Sequence, residues 1–293
     1  MWEKELRLKF GKYVSLNVIA MMGLSCYILA DTFFVANGVG VQGLTALNLV
    51  IPIYSFINGV GLMLGIGGAT KYAINRAQGN ELGGNEVFSK AVRLGIAAGI
   101  LFLVLGVFGA GKISTMLGAD ESIWELANVY VKTIMCFSPA FIMNNICVAF
   151  VRNDGEPNLA MQAMLSGSIA NIILDYLFIY PLNLGMFGAA FATGFAPIIS
   201  MIMVSKHLRN GHNNFHLVKS SKSYWKTIVS LGSASFITEA SSGIVIIVFN
   251  IVILKLEGNL GVAAYGVVAN LALVATALFT GIAQGVQPLV SEN

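Results

Sequence analysis

Apolar runs long enough to cross a bilayer recur along the whole chain, as in LGIAAGILFLVLGVFGAG (94–111) and IVIIVFNIVIL (244–254). A helix needs about 20 such residues to span the hydrocarbon core. Lipid offers no partner to unpaired backbone groups, so a spanning segment must be a helix or part of a closed barrel. A barrel would need segments of about ten residues that alternate apolar and polar, whereas these runs are continuous. The pattern predicts eight helical spans, at 13–35, 45–70, 87–111, 124–149, 157–180, 184–206, 227–254 and 260–289. Composition agrees: 56% of residues are hydrophobic and 11% charged, against about 25% charged in soluble domains. The fold class is all-α, polytopic membrane.

The basic opening MWEKELRLKFGKYV resembles the start of a signal peptide, but the apolar run after it is too long and contains Asp31. We read it as an uncleaved first helix behind an interfacial basic segment. Cys26, Cys136 and Cys147 all fall in apolar spans, which favours packing over a disulfide framework.

Basic residues cluster at alternate connections. Lys4, Arg7, Lys9 and Lys12 precede span 1; Lys71, Arg76, Lys90 and Arg93 surround the second connection; Arg152 lies at the fourth; Lys206, Arg209, Lys219, Lys222 and Lys226 lie at the sixth. Only Lys112, Lys132 and Lys255 fall on the other side. The positive-inside rule then puts the N-terminus and the even connections in the cytoplasm of a plasma-membrane protein. It also accounts for the basic pI, so no nucleic-acid partner is expected.

The longest connection, KHLRNGHNNFHLVKSSKSYWK (206–226), suggests a division into a six-helix bundle over 1–206, a cytoplasmic inter-bundle loop over 207–226 and two further helices over 227–293. His207, His212 and His216 lie in this connection, and a solvated loop near anionic headgroups is the favoured reading over a metal site. GLMLGIGGAT (61–70) lacks the preceding strand and the Lys-Ser or Lys-Thr of a phosphate loop, so its glycines are read as helix-packing residues. GLTALNLV (43–50) and GVAAYGVV (261–268) form a weak internal repeat that would relate spans 2 and 8.

Of the fourteen acidic residues, Asp31, Asp175 and Glu239 lie inside spans. An acid at mid-membrane costs roughly 2.5–3.5 kcal/mol on insertion scales, which marks a functional site facing the bundle interior. In NIILDYLFIY (171–180), Asn171 stands one helical turn before Asp175, so both side chains share a face. Carboxylate, amide and hydroxyl oxygens suit a small hard cation or a proton. No span contains His, so a Ser-His-Asp or Cys-His catalyst has no base available, and no enzyme activity is expected.

YILADTFFVANGVGVQGLTALNLVIPI (27–53), VRNDGEPNLAM (151–161), NIILDYLFIY, LGMFGAAFATG (184–194) and GIAQGVQPLVS (281–291) together resemble the multidrug and toxic compound extrusion (MATE) family. The resemblance implies a twelve-helix fold of two pseudo-symmetric bundles, of which this chain would carry eight helices. It implies antiport of organic, often cationic, drug-like compounds against Na⁺ or H⁺ by alternating access, with no cofactor besides the coupling ion. Its cation-site positions match Asp31, Asn171, Asp175 and Thr193, with Asn145 as a further member and Glu239 as a second-bundle acid. Tyr54 and Tyr176 are expected to line the substrate cavity. Two departures stand out. The region VSLNVIAMMG lacks the proline that helps the first helix of many relatives to bend, and the chain stops at QPLVSEN, where relatives continue into four further helices. A fragment, a truncated product or a chain completed by a partner would each show that pattern. The runner-up function is a lipid-linked oligosaccharide flippase of related fold, for which basic residues facing the cavity are expected; beyond the peripheral Lys132 the spans show none.

Overall fold

The computed structural model of the chain describes residues 2–209, 213–219 and 223–292, and its regular elements among these are all helices. They are α1 (Trp2–Gly38), α2 (Val41–Ala77), α3 (Glu81–Met116), α4 (Trp124–Cys136), α5 (Ser138–Asn153), α6 (Pro157–Ile179), α7 (Gly185–Arg209) and α8 (Trp225–Glu292). α8 is broken at Gly258, whose φ of 65° suits a residue without Cβ, and it therefore supplies two spans. With α4 and α5 counted as one bent span, the eight predicted spans are all present. α1 runs unbroken, as its proline-free sequence allows.

The span predicted as one helix over 124–149 is instead interrupted at Phe137, and its halves meet at 46°. Pro139 explains the break. It sits in the first turn of α5 and has no N–H to give to the carbonyl four residues back. That carbonyl, on Met135, is satisfied by the Ser138 hydroxyl at 2.7 Å, which also lies 3.1 Å from the Gly99 carbonyl of α3. Pro52 acts similarly within α2. The Asn48 carbonyl that it leaves without a helical donor accepts the Asn250 amide of α8 at 3.1 Å.

α2 is central and packs against α3, α5 and α8, while α6 pairs with α7 and with α1. Leu47, Val50, Ile57 and Leu64 of α2 join Val87 and Ala91 of α3 and Ile142, Ile146 and Phe150 of α5 in one core. Both GxxxG pairs serve close packing. A Cβ on Gly61 or Gly65 would come within 2.8 or 2.7 Å of Asn145 on α5, and one on Gly281 or Gly285 within 2.9 or 2.7 Å of the α1 backbone. Outward-facing residues such as Phe108 and Phe279, 84% and 74% exposed, stay apolar, which suits contact with lipid tails.

Within the inter-bundle connection Asn214, His216, Leu217 and Lys219 are exposed, as a solvated loop predicts, but His207 and Phe215 are buried. His207 ends up in the last turn of α7, buried, with Nε2 hydrogen-bonded to Asp154 Oδ2 at 2.7 Å. Asp154 also accepts the Tyr72 hydroxyl and, from Asn214, both the backbone N–H at 2.8 Å and the side-chain amide at 3.0 Å. Phe215 is buried among Tyr72, Phe88 and Phe150. The His216 N–H donates to Asn85 Oδ1 at 2.8 Å and the Val218 N–H to Ser89 Oγ at 2.7 Å. Residues 213–218 thus lie across the ends of α2, α3, α5 and α7. His212, and with it the His212–His216 pair, lies outside the described residues.

Candidate functional site

α6 holds Asn171 and Asp175 one turn apart and both fully buried. With the Asn171 amide nitrogen facing Asp175 Oδ2 at 3.1 Å, its oxygen accepts the Thr193 backbone N–H at 3.2 Å; the opposite orientation would set acceptor against acceptor. Tyr130 lies beside Thr193, both lining one cavity, which brings α4 to the site. Asp31, buried on α1, is close enough to Asp175 for the two carboxyl groups to interact electrostatically, and both interact with Tyr130. Asp31 Oδ1 and Asp175 Oδ1 have no hydrogen-bond partner among the described residues. Pro197, one turn beyond Thr193 in α7, removes the helical donor to the Thr193 carbonyl. Four helices therefore gather carboxyl, amide, hydroxyl and carbonyl oxygens in apolar surroundings. Two adjacent buried carboxylates are unfavourable together, and a proton or a small cation relieves that arrangement.

Asp31, Thr193 and Tyr130 also line a cavity of about 150 Å³. Asn171 and Asp175 lie behind it. This cavity shares Tyr27, Tyr54, Asn58, Thr193 and Glu239 with an adjoining one of about 120 Å³, which reaches Arg152, Ser200 and Gln284. The Tyr27 and Tyr54 hydroxyls are 3.4 Å apart. Glu239 of α8 lines the same cavities as Asn58 of α2, and Asn58 Oδ1 accepts the Asn145 amide at 2.9 Å. Just past Asp31, Thr32 accepts the Asn270 amide of α8 at 2.6 Å, so α8 touches α1 beside the acid cluster.

Asp31, Asn171, Asp175 and Thr193 are brought together, but two expectations need correction. Asn145 does not join them. α5 crosses α2 at Gly61 and Gly65, and this directs Asn145 to Asn58 and the Glu239 side of the chamber. Tyr176 does not line either cavity: one residue past Asp175 is about 100° around the helix, and Tyr176 is 52% exposed, against Phe34 and Tyr180. Lys132 is exposed, as its peripheral position implies, while Arg152, a connection residue by its sequence position, lines the chamber. Tyr130 and Asn58 were also missed, although each is a polar side chain in a long apolar run.

A model of the MatE family matches residues 17–177, more than half of the chain. The chain is 26% identical over 254 residues to the multidrug export protein MepA of Staphylococcus saprophyticus, covering 85% of this chain and 56% of that protein. It is 25% identical over 273 residues to MepA of Staphylococcus aureus, covering 91% and 60%. It thus spans somewhat over half the length of these relatives. Among solved structures, the MATE multidrug transporter DinF-BH superposes with a TM-score of 0.91 at 24% identity, over 97% of this chain and 65% of that one. An inward-facing MATE family transporter of the MOP superfamily gives a TM-score of 0.82 at 26% identity, over 92% and 63%. The helical order, the buried acids behind a membrane chamber and the family match agree, and the chain belongs to the MatE, or MATE, family.

Proposed function

We propose that the chain acts in secondary active efflux of organic, often cationic, compounds, exchanging them for Na⁺ or H⁺ by alternating access across the plasma membrane. The N-terminus and the even connections would face the cytoplasm. Residues 1–206 would form the coupling bundle, 207–226 the link, and 227–293 the start of a second bundle, with a partner chain as one source of further helices. The observation that supports this reading best is the joining of Asp31 and Asp175, each with an unpartnered carboxyl oxygen, to Asn171, Thr193 and Tyr130 next to the chamber.

Neutralising the acids removes their mutual repulsion and allows α1, α6 and α7 to pack differently. A ligand moves such an equilibrium only by its different affinity for the two states. Because Asp31 and Thr193 line the chamber while Asp175 lies behind them, ion and solute would compete through helix position as well as direct contact. Glu239 and the aromatic rings of Tyr27 and Tyr54 offer an organic cation charge and π-faces. The chamber presents one guanidinium and no cluster of basic residues among the described residues, which supports this reading over a flippase of pyrophosphate-linked lipids.

The test uses vesicles that contain the protein and are loaded with a fluorescent organic cation, on which a Na⁺ or pH gradient is imposed. Gradient-driven movement lost in Asp175→Asn is expected. Movement that neither gradient drives, or that Asp175→Asn retains, would refute the coupling. A second readout needs no transport: Na⁺ or acidification should raise the melting temperature of the purified chain, and Asp175→Asn should remove the response.

A further inference from the structure

Arg152 stands in the last turn of α5 and is only 3% exposed, yet it lacks an acid partner among the described residues. Its Nη1 donates to Gln284 Oε1 at 3.1 Å, its Nη2 faces Met164 Sδ at 3.9 Å, and its Nε has no partner among the described residues. The acids that could neutralise it are engaged or turned away. Asp154, two residues on, is taken by Tyr72, His207 and Asn214. Glu156 is exposed, and Glu239, although it lines the same chamber, forms no ion pair with Arg152 among the described residues. A buried charge with neutral neighbours alone is costly and calls for a compensating group.

The surroundings are suited to supplying one from outside. Arg152 lines the cavity of about 120 Å³ at an end walled by α5, α6, α7 and α8, and the hydroxyl of Ser200 in it also has no partner. A guanidinium presents a planar fork of donors that matches the two oxygens of a carboxylate. Gln284 holds one arm of that fork, which fixes its direction, and Nε is buried with no partner among the described residues.

We propose that Arg152, with Ser200 beside it, forms an oxyanion-accepting subsite that takes a carboxylate carried by the organic solute. The proposal rests on the reading of the chamber as the solute's path. A lipid phosphate has the same chemistry, but Arg152 is reached through a helix-walled cavity, which favours a solute.

Equilibrium binding to the purified chain in detergent, without any ion gradient, tests this with two xanthene dyes that differ only as free carboxylate and ethyl ester. Arg152→Gln should weaken the carboxylate dye about tenfold, as expected for loss of a charge-assisted hydrogen bond, and leave the ester within about twofold. Arg152→Lys should recover part of the loss. Equal effects on both dyes, or no effect on either, would overturn the proposal. So would a parent protein that binds the ester more tightly than the carboxylate, an outcome that does not depend on the variant folding. Displacement of the carboxylate dye by added phosphatidylglycerol would assign the subsite to lipid and also overturn it. Failure here leaves the transport and melting tests of ion coupling unaffected, so the two readings are judged separately.

Discussion

The buried polar groups form two contrasting sites. Asp31, Asn171, Asp175 and Thr193 are contributed by α1, α6 and α7, and Asn171 and Asp175 have no access to the chamber surface. Glu239 and Arg152 lie on different elements of the chamber, α8 and α5, and are not paired with each other. The first site is small and rich in oxygen, with two carboxyl groups held together. The second is larger, bounded by apolar and aromatic side chains, and carries one charge of each sign. Under the proposed function, the difference would let an ion and an organic solute be handled by separate groups that meet at Asp31, Tyr130 and Thr193.

The largest effect should come from the first site. Asp175→Asn should bring gradient-driven movement of an organic cation to background while leaving dye binding to the chamber within about threefold; loss of both together would mean that the sites are not separable. Asp154→Ala touches neither. It should cost about 3 kcal/mol, because a buried carboxylate with several donors is removed, and expose residues 213–218 to limited proteolysis. An unchanged cleavage pattern would show that the clasp does not hold that segment. Glu239→Gln should weaken an organic cation about tenfold, roughly 1.4 kcal/mol, and keep the melting response to Na⁺ or acid. If that response disappears, Glu239 belongs to the ion site.

The smallest effect calibrates an exposed acid. Asp120, in the turn between α3 and α4, accepts the Ser122 hydroxyl at 2.6 Å and the Asn259 amide at 2.9 Å, and these bonds hold its carboxyl below the ordinary value. A depressed folded value means that its stabilisation is present above the unfolded value and is lost as pH falls through the folded one. Acid titration of the melting temperature should show a loss below about 1 kcal/mol, given its exposure, and Asp120→Asn should remove it. A larger acid-dependent loss that survives Asp120→Asn would show that Asp120 is not its source.

Much of this was readable in the chain. The continuous apolar runs require helices because lipid cannot satisfy a bare backbone, and Asp31 and Asp175 stand out because charge in those runs is costly. The Asn171–Asp175 pairing follows from helical period alone. The bend at Phe137 was available in Ser138-Pro139 but was hidden by hydropathy, which averages over a proline.

Other features required the tertiary structure. Arg152 reads as a connection residue until α5 is seen to extend to Asn153 and to meet α8 at Gln284. His207 reads as solvated until the following segment folds back and buries it against Asp154. Asn145 and Tyr176 were placed by span rather than by face, and the α2–α5 crossing and one step of helical rotation sent them elsewhere. The sequence by itself determined the spans and the costly acids, since these depend on local hydropathy and period. Which polar groups meet was decided by helix crossings, because a side chain's partner lies on another helix whose rotation and depth no local pattern records.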